Sequence, residues 1–493
     1  MTIPAVQVNK LEGQLGISNS GSQKLLAVMG PTSKGTASSP VALTRATDVV
    51  SQFGYGPAVQ AACHAIEFYG QPVIIVKTPV TGGSAGTLGA LVTTGWTGTS
   101  VVSNCSSAPI DEYELLLKVI TGGTIGTAGI TVRASLDNGR TFGPIVALGT
   151  ATSITLTNPD GSSTGITLAF AAGTAVANDQ VTAVSVAPVP GAADLTAGFT
   201  ALQNSALNWE CVELACAATS ALTDALDGFI KTCQALGRFC YFAAGTRTMT
   251  AAEPDATYQT SVIAAFASSA YSTGFIVSGS VIQTSSVPQQ RNQYVRSPLA
   301  AIAALSNSLP AHISAAQPIA SNVLPNCTLT DVNGNLASRV HDEFLNPGLD
   351  DAGFTTVRSW PRSAGVWVTL PRIHCASGSD FNRLPKIRVW DRFSEALFDF
   401  FRLRIQAPVL VNSATGFIEE AFATELEKSA EQAARNAIMQ APSASALQVR
   451  VSRTDALLSA EQPTLTVTGT VVPLGYPEKI VLNLGFAVTL QKA

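Results

Sequence analysis

Apolar residues in the first part of the chain form short continuous runs on either side of one amphipathic segment. "KLLAVMG" at 24–30 and "QPVIIVKTPV" at 71–80 have the length and composition of strands buried on both faces. Between them, "GPAVQAACHAIEFYG" at 56–70 predicts a helix. This order of strand, helix and strand is typical of an α/β domain.

The same alternation returns after residue 190. Buried strands are predicted at "WECVELACA" (209–217), "RFCYFAAG" (238–245) and "GFIVSG" (274–279), and helices at "TSALTDALDGFIKTCQALG" (219–237) and "ATYQTSVIAAFASSAYS" (256–272). In the first of these helices apolar side chains recur at helical spacing, and Gly237 is placed to end it. We therefore predict one discontinuous α/β domain formed by residues 24–78 and 191–325.

Residues 79–190 follow a different pattern. They are rich in Gly and Thr and contain short alternating runs such as "YELLLKVI", "GITVRAS" and "SITLTN". The runs are divided by "LDNGR" and "NPDGSS", in which Asn-Gly and Asp-Gly favour the positive φ angles of tight hairpins. The pattern predicts an inserted all-β module, a sandwich or a barrel, with its own core and a surface position on the α/β domain.

From about residue 326 helix and strand patterns mix, which predicts a C-terminal α+β domain over 326–477. Its helices are expected at "DRFSEALFDFFRLRI" (391–405) and "GFIEEAFATELEKSAEQAARNAIMQ" (416–440), and its strands at "ALQVRVS" (446–452) and "PTLTVTGTVV" (463–472). The later strand is expected to form a hairpin with the terminal segment, and the earlier strand could pair with that hairpin.

Residues 478–493, "EKIVLNLGFAVTLQKA", have the alternation of one long strand. The residues that share its apolar face are Ile480, Leu482, Leu484, Phe486, Val488 and Leu490. A terminal strand leaves backbone N–H and C=O groups that need partners, either in its own sheet or in the sheet of another chain.

The composition of the chain argues against several classes of function. Charged residues make up 13% of the 493-residue chain, against about 25% in ordinary soluble domains, and the net charge is −4. Such a surface suits packing against protein, and 29 basic residues without a basic run argue against direct binding of nucleic acid. The longest apolar stretches are shorter than a membrane helix. The N-terminus lacks the features of a secretory signal. The eight scattered cysteines favour a reducing compartment.

Candidate chemistry is sparse. "GPTSKGTA" at 30–37 resembles a phosphate-binding loop, but Thr36 stands where the lysine is required, so we expect a surface turn. "GGSAG" at 82–86 matches a serine-hydrolase string, yet no helix pattern follows Ser84. His341, beside Asp342 and Glu343, is the one acid–base cluster worth following, although a solvated loop is the expected environment. We predict no catalytic residue, no metal site and no cofactor.

The stretch 358–404 contains nine basic side chains and three tryptophans. It could form a nucleic-acid groove in which aromatic rings stack on bases. Arginines paired with carboxylates across a subunit boundary explain the same composition, and we favour a protein interface because Phe393, Leu397, Phe400 and Phe401 need a core. The candidate residues for such a protein interface are Arg372, Arg383, Arg388, Arg392, Arg402 and Arg404.

The order of several short phrases resembles the tail sheath proteins of contractile-tailed bacteriophages, especially the Mu-like group. The phrases are Leu349–Gly353, Arg372, Ser379–Phe381 and Arg388–Asp391, together with "VMGPTSKG", "SQFGYGP" and "FYGQPVIIVKTPV" near the N-terminus. Each phrase alone is weak, but together they span about nine-tenths of the chain in the family's order. The resemblance implies a subunit that stacks helically around an inner tail tube and drives the tube through a host envelope when the sheath contracts.

The same resemblance implies that extended arms join neighbouring subunits by adding strands to a neighbour's C-terminal sheet. Residues 1–23 are the expected N-terminal arm, in which Ile3, Val6 and Val8 correspond to the strand face at 480–490. A local hairpin of 463–472 with 478–490 is the alternative, and both hold if the hairpin adds as a unit.

Expected partners are the chain itself, the tube protein, and baseplate and tail terminator proteins, within a virion tail assembled in the host cytoplasm. We expect the C-terminal domain to face the tube and the β insertion to lie outside. The alternatives are a virion adhesin that binds through 79–190 and, less favoured, a hydrolase that uses Ser84 or the His341 cluster. Whether the assembly is a phage tail or a tail-like bacteriocin stays open.

Overall fold

The computed structural model describes residues 24–250, 253–336, 339–438, 443–455, 457–458 and 464–481. These residues form two compact units. The first contains the described residues up to 236, 240–309 and 314–380, and the second contains 237–239, 310–313 and the described residues from 381 onward.

The first unit begins with the predicted α/β order. Its first elements are β1 (Leu25–Gly30), β2 (Val41–Leu43), α1 (Ala46–Phe53), α2 (Pro57–Tyr69) and β3 (Val73–Lys77). Ten strands follow: β4 (Thr87–Leu88), β5 (Val102–Asn104), β6 (Glu114–Thr121), β7 (Gly123–Thr124), β8 (Thr131–Ser135), β9 (Ile145–Ala147), β10 (Ser153–Thr157), β11 (Ser163–Phe170), β12 (Thr174–Ala175) and β13 (Gln180–Val186).

The remainder of the first unit returns to mixed structure. Its elements are α3 (Ala192–Asn204), β14 (Trp209–Ala217), α4 (Ser220–Ala235), β15 (Tyr241–Gly245), α5 (Asp255–Ala265), β16 (Gly274–Val277), β17 (Val281–Thr284), β18 (Gln293–Arg296), α6 (Leu299–Ser308), a 3-10 turn (Ala320–Asn322), β19 (Cys327–Thr328), β20 (Val357–Trp360) and β21 (Ser363–Val368). The second unit contains α7 (Leu384–Arg402), α8 (Glu420–Ile438), β22 (Ala444–Val451) and β23 (Val467–Pro473).

The central sheet has the strand order β16-β15-β14-β1-β3-β2. All neighbours are parallel except β2 and β3, which are antiparallel. The prediction that strands near 24–30 and 72–78 join the sheet built by 209–278 is therefore confirmed. The chain leaves this sheet after β3 and returns to it at β14, and the ten short strands lie between these two points.

Burial on both faces explains why the central strands are continuously apolar. Leu26 and Val28 on one face of β1 and Ala27 and Met29 on the other are all fully buried. On one side the sheet packs on α3 and α4, where Phe199 and Phe229 stack with ring centroids 4.4 Å apart. On the other side α2 and α6 pack together against the sheet.

The segment between β3 and α3 forms two larger antiparallel sheets, ordered β4-β13-β6-β8-β9 and β10-β11-β5, and the small pair β12-β7. Their apolar faces share one core, which also takes in Tyr294 from β18. The predicted hairpin signal at Asn138 and Gly139 is present, since both residues have positive φ, 55° and 85°. We call residues 79–190 the β segment.

The predicted boundary near residue 326 differs from the structure, in which the units divide at 380–381. Residues beyond 326 complete the first unit because Thr355 donates its N–H to Ile276 O at 2.9 Å, next to β16. Leu349 and Phe354 are fully buried in the core beside the central sheet. The short alternating pattern of this stretch suggested a new domain, but its apolar side chains serve the first core.

In the second unit β22 and β23 pair in antiparallel fashion, with Val449 opposite Gly469. Helix α8 packs Ala430 and Ala434 against Leu447 and Val449 of β22. Helix α7 begins at Leu384, seven residues before the predicted start, with Pro385 in its first turn where a missing N–H costs no hydrogen bond. The strand predicted at 463–472 thus pairs with the strand predicted at 446–452.

Candidate assembly surface

Most residues predicted to form arm strands lie outside the described residues. This holds for Ile3, Val6 and Val8 and for Leu482, Leu484, Phe486, Val488 and Leu490. Ile480 is described: it is 74% exposed and belongs to no strand of the described chain. The exposed Ile480 and Val481 therefore end the described chain with apolar side chains facing solvent.

The basic stretch contains two arginines that are buried within the second unit. Arg383 is 8% exposed and its guanidinium contacts the carboxylate of Glu478. Arg388 is 3% exposed on the inner face of α7. In this conformation of the subunit neither side chain offers its charge to a partner surface.

The other four candidate arginines are wholly or partly exposed, and each has a partner within the chain. In the first unit Arg372 Nε donates to Asp350 Oδ2 at 2.6 Å. In the second, Arg392 and Arg402 form exposed pairs with Glu395 and Asp399 along α7, and Arg404 lies 3.5 Å from the centroid of the Phe400 ring. Surface pairs of this kind contribute little energy, so Arg392, Arg402 and Arg404 can exchange partners at modest cost.

The two-stranded sheet of the second unit has one edge closed by side chains. Val449 N–H donates to Glu431 Oε1 at 3.1 Å, and Val451 N–H donates to Glu427 Oε1 at 2.7 Å. Since backbone groups on a strand alternate in direction, these amides form the outer edge of β22. Two carboxylates of α8 therefore occupy the positions that a further strand would need.

The opposite edge, on β23, is open among the described residues. No strand in the described part of the chain pairs with β23 on the side away from β22. By the register, the outward amides belong to Val467, Gly469 and Val471. The sheet can thus accept an added strand along β23 alone.

Arg453 holds the closed edge in place. Its guanidinium contacts Glu427 and donates to Glu420 at 3.1 Å. The hydrogen bond from Arg453 lowers the pKa of the Glu427 carboxyl against the opposing effect of burial. Glu427 is therefore a charged acceptor at neutral pH, which strengthens its bond to the Val451 amide.

An apolar groove opens beside this sheet in the second unit. Its volume is about 1040 Å³, and it is lined by α7, α8 and the chain between them, including Phe398, Phe401, Ile405, Val409 and Leu426. Leu403 and Ile405 are 77% and 71% exposed. Together with the open edge of β23, this is an exposed apolar surface of the kind that marks protein contacts.

The carboxyl end of the parallel sheet is where an α/β fold usually binds ligands, at the point between β1 and β14 where the strand order reverses. Here Glu112 and Ala187 of the β segment line a small cavity together with Ala215 and Cys216 at the carboxyl end of β14. Asp111 Oδ1 lies 2.9 Å from an Arg296 nitrogen, and Arg296 donates to Glu112 O at 3.3 Å. Residues 33–37 are exposed in the loop that follows β1, and the Ser33 N–H donates to Tyr55 O.

Ser84 and His341 have separate structural surroundings. Ser84 exchanges two backbone hydrogen bonds with Val189 and is followed by β4. His341 is fully buried, so the expected solvated loop is wrong: its Nε2 lies 3.0 Å from Glu343 Oε2 and its Nδ1 lies 3.5 Å from Asp255 Oδ1. Glu343 also accepts the Gly348 amide at 2.7 Å, so the cluster fixes the loop at 341–350.

The described ranges contain no group of three or more His, Cys, Asp or Glu side chains placed to hold a metal ion. Among the helices of these ranges, none combines the length and apolar character needed to cross a bilayer. All eight cysteines are free thiols, five of them buried.

Sequence reasoning missed the features that define the surface. The closed edge of β22 depends on Glu427 and Glu431, which in sequence are only acidic positions on a helix. Their spacing of four places both on one helix face, and this was the available signal. The role of that helix face becomes visible only when the position of strand β22 is known.

The described residues thus form a parallel α/β sheet, a β segment inserted between two of its strands, and a C-terminal unit of two helices and two strands. The chain has the fold of the helical sheath of the anti-feeding prophage in its contracted state, with 10% identity, a TM-score of 0.50, and coverage of 98% of this chain and 99% of that chain. The resemblance to tail sheath proteins read from the sequence is thereby confirmed at the level of fold.

The chain belongs to the DUF2586 family, whose N-terminal domain matches residues 3–278. The chain is also similar to sheath tail proteins of Listeria innocua (13% identity, TM-score 0.45, covering 92% of this chain and 96% of that one) and Desulfitobacterium hafniense (12%, 0.46, 95% and 100%). No curated protein matches the sequence.

Proposed function

We propose that this chain is the structural subunit of a contractile tail sheath, which polymerises helically around an inner tail tube and contracts to drive the tube through a host envelope. The observation that carries the proposal is the likeness to the anti-feeding prophage sheath, which extends over nearly all of both chains. The position of the β segment at the carboxyl end of the sheet supports a structural role over a catalytic one.

Subunits are joined, in this proposal, by arm strands that add to β23 of a neighbour. The segment 480–490 supplies the alternation that such an addition requires, and Ile3–Val8 supplies a second strand. The carboxylates of Glu427 and Glu431, which accept amides on the outer edge of β22, direct an incoming strand to the edge formed by β23. An apolar face on that strand would fix its register.

Linked arms would let rings of subunits move without separating. Rigid contacts between the compact parts can break and re-form between two packed states, whereas a strand shared between neighbours persists through the change. Energy would then be stored in a metastable extended lattice and released on contraction, without a nucleotide or a catalytic residue.

The remaining assignments follow from this arrangement. The C-terminal unit faces the tube and carries the exposed Arg392, Arg402 and Arg404, while the β segment, an inserted module, lies on the outside. Baseplate and terminator proteins cap the two ends of the sheath. The subunit is thus a component of a virion tail or of a tail-like particle, assembled in the host cytoplasm.

The direct test is negative-stain electron microscopy of the chain expressed alone. Long hollow cylinders with a regular helical surface are the expected result. Single particles at high protein concentration, which persist after the candidate tube protein is added, would contradict the proposal. Cylinders that appear only with the tube protein would instead identify the tube as the template.

The arm hypothesis is tested by changing each side of the contact. One variant lacks residues 482–493 but keeps Glu478, the partner of Arg383. The other, Val471→Pro, removes an outward amide from β23. We expect each variant to give folded subunits that do not polymerise. Val471→Thr keeps the amide and is the matched control. Normal cylinders from both the deletion and Val471→Pro would exclude strand addition at this edge.

A further inference from the structure

The β segment docks on the central domain through strand β18. Tyr294 of β18 inserts into the core of the β segment, and Gln293 N–H donates to Asp137 Oδ2 at 2.9 Å. The Arg296–Asp111 pair, at 2.9 Å, and Arg140 Nη1, which donates to Gln293 O at 3.2 Å, close the contact. We call this contact, together with the cavity next to it, the seam.

A small cavity of about 80 Å³ lies in the seam. The β segment contributes Glu112 and Ala187 to its wall, and β14 contributes Glu213 and Cys216. The wall also includes Arg296 of β18. The remaining lining residues, from α2, β17, α6 and the chain after β15, are uncharged. The space is large enough for a few water molecules.

Glu213 is an unusual residue for a central parallel strand. Its side chain is 1% exposed, and its Oε2 has no hydrogen-bond partner among the described residues. Burial raises the pKa of this carboxyl to about 8. At neutral pH most of the folded molecules therefore hold Glu213 in its neutral form.

The surrounding groups do not offer Glu213 a free counter-charge. Arg296 is paired with Asp111, and Asp111 helps to hold the pKa of Arg296 above its ordinary value against the effect of burial. Burial also raises the pKa of Glu112, and it raises that of the Cys216 thiol to about 12. An ionised Glu213 would thus meet no unpaired cation in the cavity wall, and water is the remaining way to solvate its charge.

We propose that Glu213 is a pH-sensitive switch for the docking of the β segment: its neutral carboxyl keeps the seam closed, and loss of its proton draws water into the cavity and opens the contact. The β segment would then stay tethered by its two connecting chains while its contact with β18 loosens. This goes beyond the proposed sheath function, because the switch operates within a single subunit.

Linkage fixes the direction and range of the effect. The closed state binds the proton of Glu213 with a pKa near 8, and the hydrated open state binds it with the ordinary value of 4.5. The contribution of Glu213 to the stability of the closed seam is therefore greatest below about pH 4.5, and through this group the opening constant increases about tenfold per pH unit up to about pH 8 and then levels off. Glu213→Gln mimics the neutral carboxyl and should abolish this dependence.

The test is hydrogen–deuterium exchange by mass spectrometry on dilute single subunits of the full chain, at pH 5 to 9. Peptides covering 184–190 and 212–217 report on the seam, and peptides from β15 and β16 report on the sheet beyond it. Dividing the wild-type rate by the Glu213→Gln rate at each pH cancels the intrinsic pH dependence of exchange. We expect this ratio to rise about tenfold per pH unit and level off near pH 8 at the seam alone.

Glu253→Gln is the matched control, because the hydrogen bond from Arg247 lowers the pKa of Glu253 to about 2, outside the tested range. A flat ratio at the seam overturns the proposal, as does an equal rise in β15 and β16, which would indicate global unfolding. Infrared absorption by a neutral carboxyl in wild type at pH 7, absent from Glu213→Gln, tests the protonation state independently. Its absence from wild type also contradicts the switch.

Discussion

A single carboxylate holds together the two chains that connect the β segment to the central domain. Asp194, in the first turn of α3, accepts the Gly82 amide at 2.9 Å, the Gly191 amide at 2.9 Å and the Thr81 hydroxyl at 2.5 Å. Burial alone would raise the pKa of Asp194, but these hydrogen bonds outweigh it and the pKa falls below its ordinary value. Asp194 thus fixes where the β segment leaves and re-enters the domain.

We expect Asp194→Asn to destabilise the first unit by about 1–3 kcal/mol at pH 7, because an amide cannot accept all three bonds. A group with a lowered pKa stabilises the fold above the ordinary carboxyl value and loses that effect as the pH falls through the lowered one. The melting temperature of wild type should therefore drop towards that of the variant in acid. Calorimetry at pH 7 and pH 3 measures both.

The control for this prediction is Asp351→Asn, since Asp351 is an exposed carboxylate of the same unit. It should melt close to wild type at pH 7. Equal effects of the two variants would mean that the Asp194 bonds carry no special stability.

At the residue scale, the sequence predicted what depends on neighbours along the chain and missed what depends on distant ones. Gly237 was predicted to end a helix and has φ of 82°, a value that glycine adopts without strain. Asp194 gave no signal, because Thr81 and Gly82 lie more than 100 residues earlier. His341 was expected in solvent because charged neighbours usually indicate surface, but Glu343 and Asp255 allow it to be buried.

Among the elements, helix α8 has a second task besides packing. Its inner face supports β22 through alanines, and Glu427 and Glu431 satisfy amides on the outer edge of that strand. An unpaired edge would otherwise be a template for the wrong strand. The helix thereby decides which edge of the small sheet is available for assembly.

We expect Glu427→Ala to destabilise the second unit by about 2–4 kcal/mol, because it leaves the Val451 amide unsatisfied and removes a charged partner from Arg453. Glu425→Ala, on the exposed face of the same helix, is the control and should have little effect. Thermal unfolding followed by limited proteolysis at the C-terminal unit measures the difference. A loss no larger than that of the control would contradict the proposed role.

Elements with a long apolar period were predicted and short ones were not. Strands β1, β3, β14, β15 and β16 and helix α2 lie within the segments predicted for them. Runs of four or more apolar residues are long enough to be recognised in the sequence. Strands of two or three residues, such as β7 and β12, are too short to show alternation. The start of α7 was placed too late because its first turn, "LPKI", lacks the pattern that marks its later turns.

On the scale of the whole molecule, the sequence predicted the return of the chain to one sheet but not the end of the first unit. Chain order is visible in a sequence, whereas the use of residues 326–380 to complete the core beside the central sheet is not. Thr355 joins the edge of the sheet at β16 by two backbone hydrogen bonds, and such pairing leaves no periodic trace. The docking of the β segment is equally invisible in the sequence, because it depends on contacts such as Arg296–Asp111, whose residues are 185 positions apart.

The proposed outward position of the β segment leads to a prediction about a chain that lacks this segment. Because Ser84 and Val189 are already paired as neighbours, an Asn-Gly turn can replace the residues between Gly86 and Ala187. Tyr294→Ser is added so that no ring is left exposed where the β segment had covered it. If assembly depends on the C-terminal unit, this trimmed chain should still form helical cylinders, of smaller outer diameter.

Electron microscopy tests whether assembly depends on the C-terminal unit. It compares the trimmed chain with the trimmed chain that also carries Val471→Pro. The first should polymerise and the second should stay as folded single subunits, because only the second lacks an outward amide on β23. Trimmed subunits that are folded by circular dichroism but form no cylinders would place part of the lattice contact in the β segment. In that case the nearly uncharged surface of 79–190 would be an assembly surface, and the proposal that it only covers the outside would be wrong.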